Sequence, residues 1–148
     1  MFKTRFVKPQ DISREWFIID AKDQNLGKIS SKISKILIGK HKSNYSPNLV
    51  FSDHVVVVNA KHLKISEKKL SEKMYYTHSG YPGGLHEKSL KRLFEQNPTF
   101  VLYNAIGGML PKNKLKDQRL KYLHIFVDDK EGLDNIKFIE LKWYGERN

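Results

Sequence analysis

The chain contains no cysteine, which excludes disulfides, thiolate metal sites and a cysteine nucleophile together. It also lacks any apolar run near the roughly 20 residues that a membrane-spanning helix needs. Met1 to Lys8 is basic but has no apolar core for secretion, and Pro9 with Asp11 interrupts an amphipathic targeting helix, so no cleavable leader is expected. The phosphate-cradling loop Gly-x-x-x-x-Gly-Lys-Ser/Thr is missing, as are Gly-x-Gly-x-x-Gly and Gly-x-Ser-x-Gly. The six histidines (His41, His54, His62, His78, His86 and His124) follow no metal-ligand spacing. No metal, cofactor or small-molecule substrate is expected. Arginine is scarce too: lysine supplies 22 of the 27 cations, which favours point-charge attraction over bidentate readout.

What is present is an uneven surplus of positive charge on a chain of single-domain length. The 148 residues carry a net charge of +11. Residues 128 to 148 hold six acids and four bases, so the surplus belongs to the body of the chain. No acid occurs from Gln24 to Ser52. A body this basic points to a polyanionic partner.

The apolar pattern predicts an α/β fold. Residues 1–15 read as an irregular arm, with Phe2, Phe6 and Val7 as possible anchors, residues 16–127 as the folded domain, and residues 128–148 as a mixed-charge tail docked by Trp143 and Tyr144. Trp16 to Asp20 is a continuous apolar run of strand length. Ile29, Ile33, Ile36 and Leu37 form one stripe of a helix from Leu26 to Gly39, with Lys28, Lys32 and Lys35 on its other side. Val55 to Ala60 has four valines without alternation, as in a strand buried on both faces. Strand, helix, strand in this order implies a right-handed parallel unit. Lys64–Ser66 and Met74–His78 suggest a short ribbon around Lys68 and Lys69. Helices are expected over 85–96 and after Thr99 as N-cap as far as Gly107-Gly108, then a helical turn held by Leu115 and Leu120, and a last strand over 122–127.

Three stretches combine cations with aromatics or glycines. Gly39-Lys40-His41-Lys42 leads into Tyr45-Ser46-Pro47. Lys68, Lys69 and Lys73 precede Tyr75-Tyr76-Thr77-His78-Ser79-Gly80-Tyr81-Pro82-Gly83-Gly84, where glycines permit close backbone approach and rings offer stacking surface. Gly107-Gly108 and Pro111 introduce five cations between Lys112 and Lys121, opposed only by Asp117. For each, the plain alternative is a solvated charged turn.

These stretches, in this order, resemble the motifs of the ribosomal protein L13 family, notably Gly39 to Lys42, His78 to Gly84 and Gly108-Met109-Leu110-Pro111-Lys112, and the similarity runs from about Trp16 to Val127. The resemblance implies a three-layer α/β/α domain with a four-stranded, mostly parallel sheet. It also implies a non-enzymatic role, binding large-subunit ribosomal RNA during assembly beside neighbouring large-subunit proteins. After Lys112 the chain continues Asn113-Lys114-Leu115-Lys116-Asp117-Gln118-Arg119-Leu120 where bacterial and plastid members usually have Gly-Pro-Leu-Gly-Arg. That departure, with Ser52 to Val56 and the acidic tail, resembles the mitochondrial branch, so a mitochondrial ribosome is expected, with plastid or bacterial cytoplasm as the alternative. Phe51-Ser52 stands where a threonine and a glycine are common, which bears on the turn there.

The residues assigned to phosphates are Lys28, Lys32, Lys40, His41, Lys42, Lys68, Lys69, Lys112, Lys114, Lys116 and Arg119. Tyr75, Tyr76, His78 and Tyr81 are assigned to stacking or ribose contact, with Gly80, Gly83 and Gly84 allowing close approach. The competing readings are an α/β enzyme acting on RNA or a nucleotide, with Asp20, Asp53 and His78 as its polar centre, and a non-ribosomal RNA-binding module. An enzyme requires a concavity that joins those three residues; a structural protein leaves them scattered.

Overall fold

The computed structural model describes Lys8, Gln10, residues 12–129 and residues 136–140. The proposed anchors Phe2, Phe6, Val7, Trp143 and Tyr144 lie outside the described residues. Strand β1 (Trp16–Asp20), helix α1 (Leu26–Ile38) and strand β2 (His54–Val58) form the expected unit. The two strands pair in parallel from Trp16 opposite His54 to Asp20 opposite Val58. Gly39 closes α1 in the left-handed region at φ 84°, its N–H donating to the carbonyls of Lys35 and Ile36.

After β2, a single 3-10 turn at Ala60–His62 leads to α2 (Glu67–Glu72), β3 (Met74–His78), β4 (Leu85–Ser89), α3 (Leu90–Gln96), α4 (Pro98–Met109), α5 (Leu115–Leu120), β5 (Leu123–Ile125) and β6 (Ile139–Glu140). Several expectations are corrected here. The ribbon pairs Met74–His78 with Leu85–Ser89, not with Lys64–Ser66. Residues 67–72 are good helix formers and coil into α2, so Lys68 and Lys69 sit on a helix. Leu85–Ser89 is strand rather than helix because the turn from Ser79 to Gly84 brings it back along β3, with Ser79 N–H to Gly84 O at 3.0 Å. Helix resumes after Ser89, the N-cap of α3, whose hydroxyl accepts from Arg92 N–H.

Asn97, rather than Thr99, caps α4, its Oδ1 accepting from Phe100 N–H at 3.1 Å. The glycine pair does not end that helix: Gly107 and Gly108 lie inside it, and the chain leaves the helix at Leu110 before Pro111. Gly107 instead faces α5, which folds back beside it. A Cβ built on it would lie 3.6 Å from Lys116 Cε and 3.8 Å from Leu120 Cδ1.

The main sheet has the order β5-β2-β1-β6, all neighbours parallel. Three strands of three to five residues make its substance; the fourth, β6, contributes two residues beside β1. The four-stranded expectation is therefore corrected to a three-stranded parallel sheet with a minimal added edge and a separate two-stranded antiparallel ribbon. The steps from β1 to β2 and from β2 to β5 run in one direction across the sheet. Right-handed crossovers then place α1 and the α4–α5 pair on the same face. The main cluster agrees: Phe17, Ile19, Val55 and Val57 pack with Ile29, Ile33 and Leu37 of α1, with Leu102 and Ile106 of α4 and with Leu120 of α5. Each such side chain contributes about 1.5–3 kcal/mol by leaving water.

No described helix covers the other face, so among the described residues the expected second helical layer is replaced. That face carries an aromatic layer: Trp16 stacks on His54 with centroids 4.0 Å apart, and His124 and Phe138 meet Trp16 at 5.5 and 6.3 Å.

Candidate nucleic-acid interface

Parallel strands give the sheet two unlike ends. α1 leads to the N-terminal end of β2, and α4 with α5 leads to the N-terminal end of β5, so the turn after Gly39 and the segment from Lys112 to Lys121 emerge at the same end. Lys40, His41, Lys112 and Lys114 are exposed there. The charge surplus thus gathers by topology.

The turn after α1 is a braced structure. Asp53, wholly buried, accepts from Lys42 Nζ at 2.5 Å and Glu15 N–H at 3.0 Å on Oδ1, and lies 2.8 Å from His41 Nε2 through Oδ2. Lys42 also donates to Ser13 O at 2.7 Å, so its ammonium is turned inward. Phe51, also buried, packs directly against Gly39, and Ser52 Oγ donates to Leu37 O at 2.6 Å. The Phe51-Ser52 departure therefore fills the space under the helix end.

A second basic region forms where the chain could not announce it. The parallel bridge between Asn25 and Lys64 brings the start of α1 beside the approach to α2. A hollow of about 340 Å³ lies there, lined by Lys28 and Gly27 of α1, by Lys64 and Ser66, and by Lys69 of α2. Three lysines and the positive end of a 13-residue helix therefore line one concavity. Lys28 and Lys69 belong to separate stretches of the sequence reading; Lys64 escapes that reading, because only the tertiary bridge places it. Lys64 meets Asp23 at 3.0 Å, and its hydrogen bond holds the Asp23 carboxyl below the usual range, the ammonium's charge adding to the effect. Lys68 is exposed on α2, and Lys32 and Lys116 are half-buried.

The ribbon offers rings and bare backbone. Tyr76 and Tyr81 are 62% and 75% exposed, while Tyr75 is half-buried with Lys73 Nζ 5.2 Å above its ring. His78 Nδ1 accepts from Gly80 N–H at 2.9 Å. Gly80 and Gly83 have φ of 87° and 75° with open space where a Cβ would stand. At Gly84 a Cβ would collide with Ser79 Oγ, so that glycine serves the turn itself.

Two other assignments fall differently. Arg119 is 1% exposed, with no hydrogen-bond partner for Nε or Nη1, so it faces the interior of α5's packing. The three residues of the enzymatic reading are scattered: Asp20 ends β1 and Asp53 precedes β2, which puts them at opposite ends of the parallel sheet, about 15 Å apart at the rise of a strand. Asp20 is occupied by Lys22 N–H and Asn59 Nδ2, and His78 lies on the ribbon.

The sequence model of the family described as Ribosomal protein L13 matches residues 14–132. A Large ribosomal subunit protein uL13 of Caldanaerobacter subterraneus subsp. tengcongensis is 45% identical over 124 residues, covering 84% of this chain and 87% of the relative. The protein of the same name from Syntrophus aciditrophicus is 46% identical over 125 residues, covering 84% and 88%. That of Thermotoga petrophila is 42% identical over 125 residues, covering 84% of each. The chain belongs to the ribosomal protein L13 family, whose members are structural and not enzymatic.

Proposed function

We propose that this chain binds and orders large-subunit ribosomal RNA during assembly, and that it does so in a mitochondrial ribosome. The observation that carries the RNA reading is the convergence of Lys28, Lys64 and Lys69 on one hollow at the start of α1, with further exposed cations at Lys40, Lys112 and Lys114. Separate basic surfaces on one rigid body neutralise phosphates from separate RNA segments and fix their spacing. Lys32, Lys68 and Lys116 add charge to these surfaces. His41 and Lys42 act at the same end, with Asp53 setting their positions. Tyr76, Tyr81 and His78 supply stacking or ribose contact, Tyr75 backs them, and Gly80 and Gly83 admit the RNA backbone while Gly84 shapes the turn.

Support for the mitochondrial setting is the sequence after Lys112, which departs from the bacterial and plastid pattern, although the relatives named above are bacterial. The test is sedimentation of extracts from cells carrying a tagged chain. Retention in the large subunit of purified mitochondria after a high-salt wash is the expected result. Recovery only in light fractions rejects the ribosomal role; recovery in cytoplasmic or plastid ribosomes rejects the mitochondrial setting alone.

A further inference from the structure

Strand β5 is an outer strand of the sheet, on the side away from β1. Its ladder with β2 uses alternate residues: Val55 N–H donates to Tyr122 O at 2.9 Å and Phe126 N–H to Val57 O at 2.8 Å. With Leu123 opposite Val55 and Ile125 opposite Val57, the bonds between these two fall to His124. The N–H and C=O groups of Leu123 and Ile125 therefore point off the open edge. Outside the ladder, no hydrogen bond among the described residues reaches them.

These groups face a cleft of about 290 Å³ between β5 and the first turns of α4, walled by Asn97, Thr99, Phe100 and Tyr103. Phe100 and Tyr103 are 43% and 42% exposed. Among the described residues no lysine or arginine lines the cleft, although the chain carries 27 of them. Where the strand runs out, Glu95 and Val127 line an adjoining hollow with Lys61, and Asp128 and Asp129 are exposed next in the chain. Among the described residues nucleic acid finds no cation in the cleft itself, and at its end Lys61 is outnumbered by Glu95, Asp128 and Asp129. Unpaired donors and acceptors alternating at strand spacing are instead met by another polypeptide backbone.

We propose that the open edge of β5, with Phe100 and Tyr103 as its wall, docks an extended segment of another protein. The segment pairs with Leu123 and Ile125 through its main chain, seats apolar side chains on the two rings, and carries basic residues towards Glu95, Asp128 and Asp129. This goes beyond the RNA reading, whose cations lie elsewhere on the molecule, so either fails without the other.

The test uses the full chain and synthetic twelve-residue peptides that alternate valine and threonine and carry three lysines at one end or the other. At saturating concentration one of the two is expected to slow amide hydrogen exchange at Leu123 and Ile125 at least tenfold while leaving His124 little changed. N-methylation of alternate peptide amides is expected to abolish the effect, and glutamates in place of the lysines to weaken binding at least tenfold. Phe100→Asp with Tyr103→Asp, at exposed positions, should weaken peptide binding at least tenfold and leave binding of a ribosomal RNA fragment unchanged. The proposal is overturned by unchanged exchange at both amides with both peptides, or by equal binding of the N-methylated peptide. It is equally overturned if an RNA oligonucleotide protects the same amides, if the chain alone protects them by dimerising, or if protection in the free chain vanishes when residues 130–148 are removed.

Discussion

Nε2 of His41 lies 2.8 Å from Oδ2 of Asp53, a carboxylate with no solvent exposure. The contact joins the basic turn after α1 to the entry of β2, and Lys42 on the other oxygen ties in the segment at Ser13 and Glu15. Removing one partner of a buried ion pair leaves the other uncompensated and costs about 3–5 kcal/mol. Asp53→Ala is therefore expected to lower stability by about that amount in urea unfolding of the full chain. An unchanged midpoint would show that Asp53 does not brace the turn.

The glycines separate into two kinds by what surrounds them. At Gly39, φ is 84° and a Cβ would collide with Phe51 Cβ and stand 2.9 Å from its carbonyl oxygen. Gly39→Ala combines left-handed strain with overpacking and is expected to destabilise by about 2–4 kcal/mol. Gly107 is helical, with ordinary contact distances at a Cβ position. Gly107→Ala is expected to be neutral or stabilising by up to about 1 kcal/mol. Thermal unfolding of the two variants side by side checks both signs.

His54 and His124 lie with ring centroids 5.8 Å apart beside Trp16. Burial holds both imidazoles below their ordinary value of about 6.5, and at His54 the charges of His124 and Arg14 add to this while Asp53 opposes it. Nδ1 of His54 and Nε2 of His124 have no hydrogen-bond partner. The unfolded chain thus takes up protons that the folded chain resists. Stability from this pair is complete above about pH 6.5 and is lost as the pH falls through the lowered folded values. Melting temperatures between pH 7.5 and 5 should fall, and fall less in His124→Gln; parallel curves for the two proteins would refute the assignment.

Exposed cations and buried ones give different salt signatures. If Lys112 and Lys114 each neutralise a phosphate, Lys112→Ala with Lys114→Ala lowers the slope of log K against log salt by about 0.7–0.9 for each phosphate no longer neutralised. Arg119→Met should leave that slope unchanged, since the guanidinium is buried, and should be neutral or stabilising in unfolding, because an unpartnered buried charge is removed. Filter binding of a large-subunit RNA fragment over a salt series distinguishes them. A reduced slope for Arg119→Met would place its guanidinium at the RNA.

Local composition by itself determined a good deal of this protein. The isoleucine stripe from Ile29 to Leu37 has one helical solution, and the apolar runs at Trp16 and Val55 read as buried strands because alternation is absent where both faces are covered. The surplus of lysine and the three ordered basic motifs carried the family. Polar Leu85–Ser89, by contrast, has no strand signal, and pairs with β3 only because a six-residue turn returns it there. The glycine pair at 107 and 108 reads as a break until Lys116 and Leu120 are seen packing beside the first of them. Tertiary structure alone decided that His41 and Lys42 share one buried acid, that Lys64 joins Lys28 and Lys69, and that Arg119 turns inward. The reason is physical: periodicity reports which face of an element is apolar, whereas the meeting of residues distant along the chain depends on crossover direction and register, which no single segment encodes.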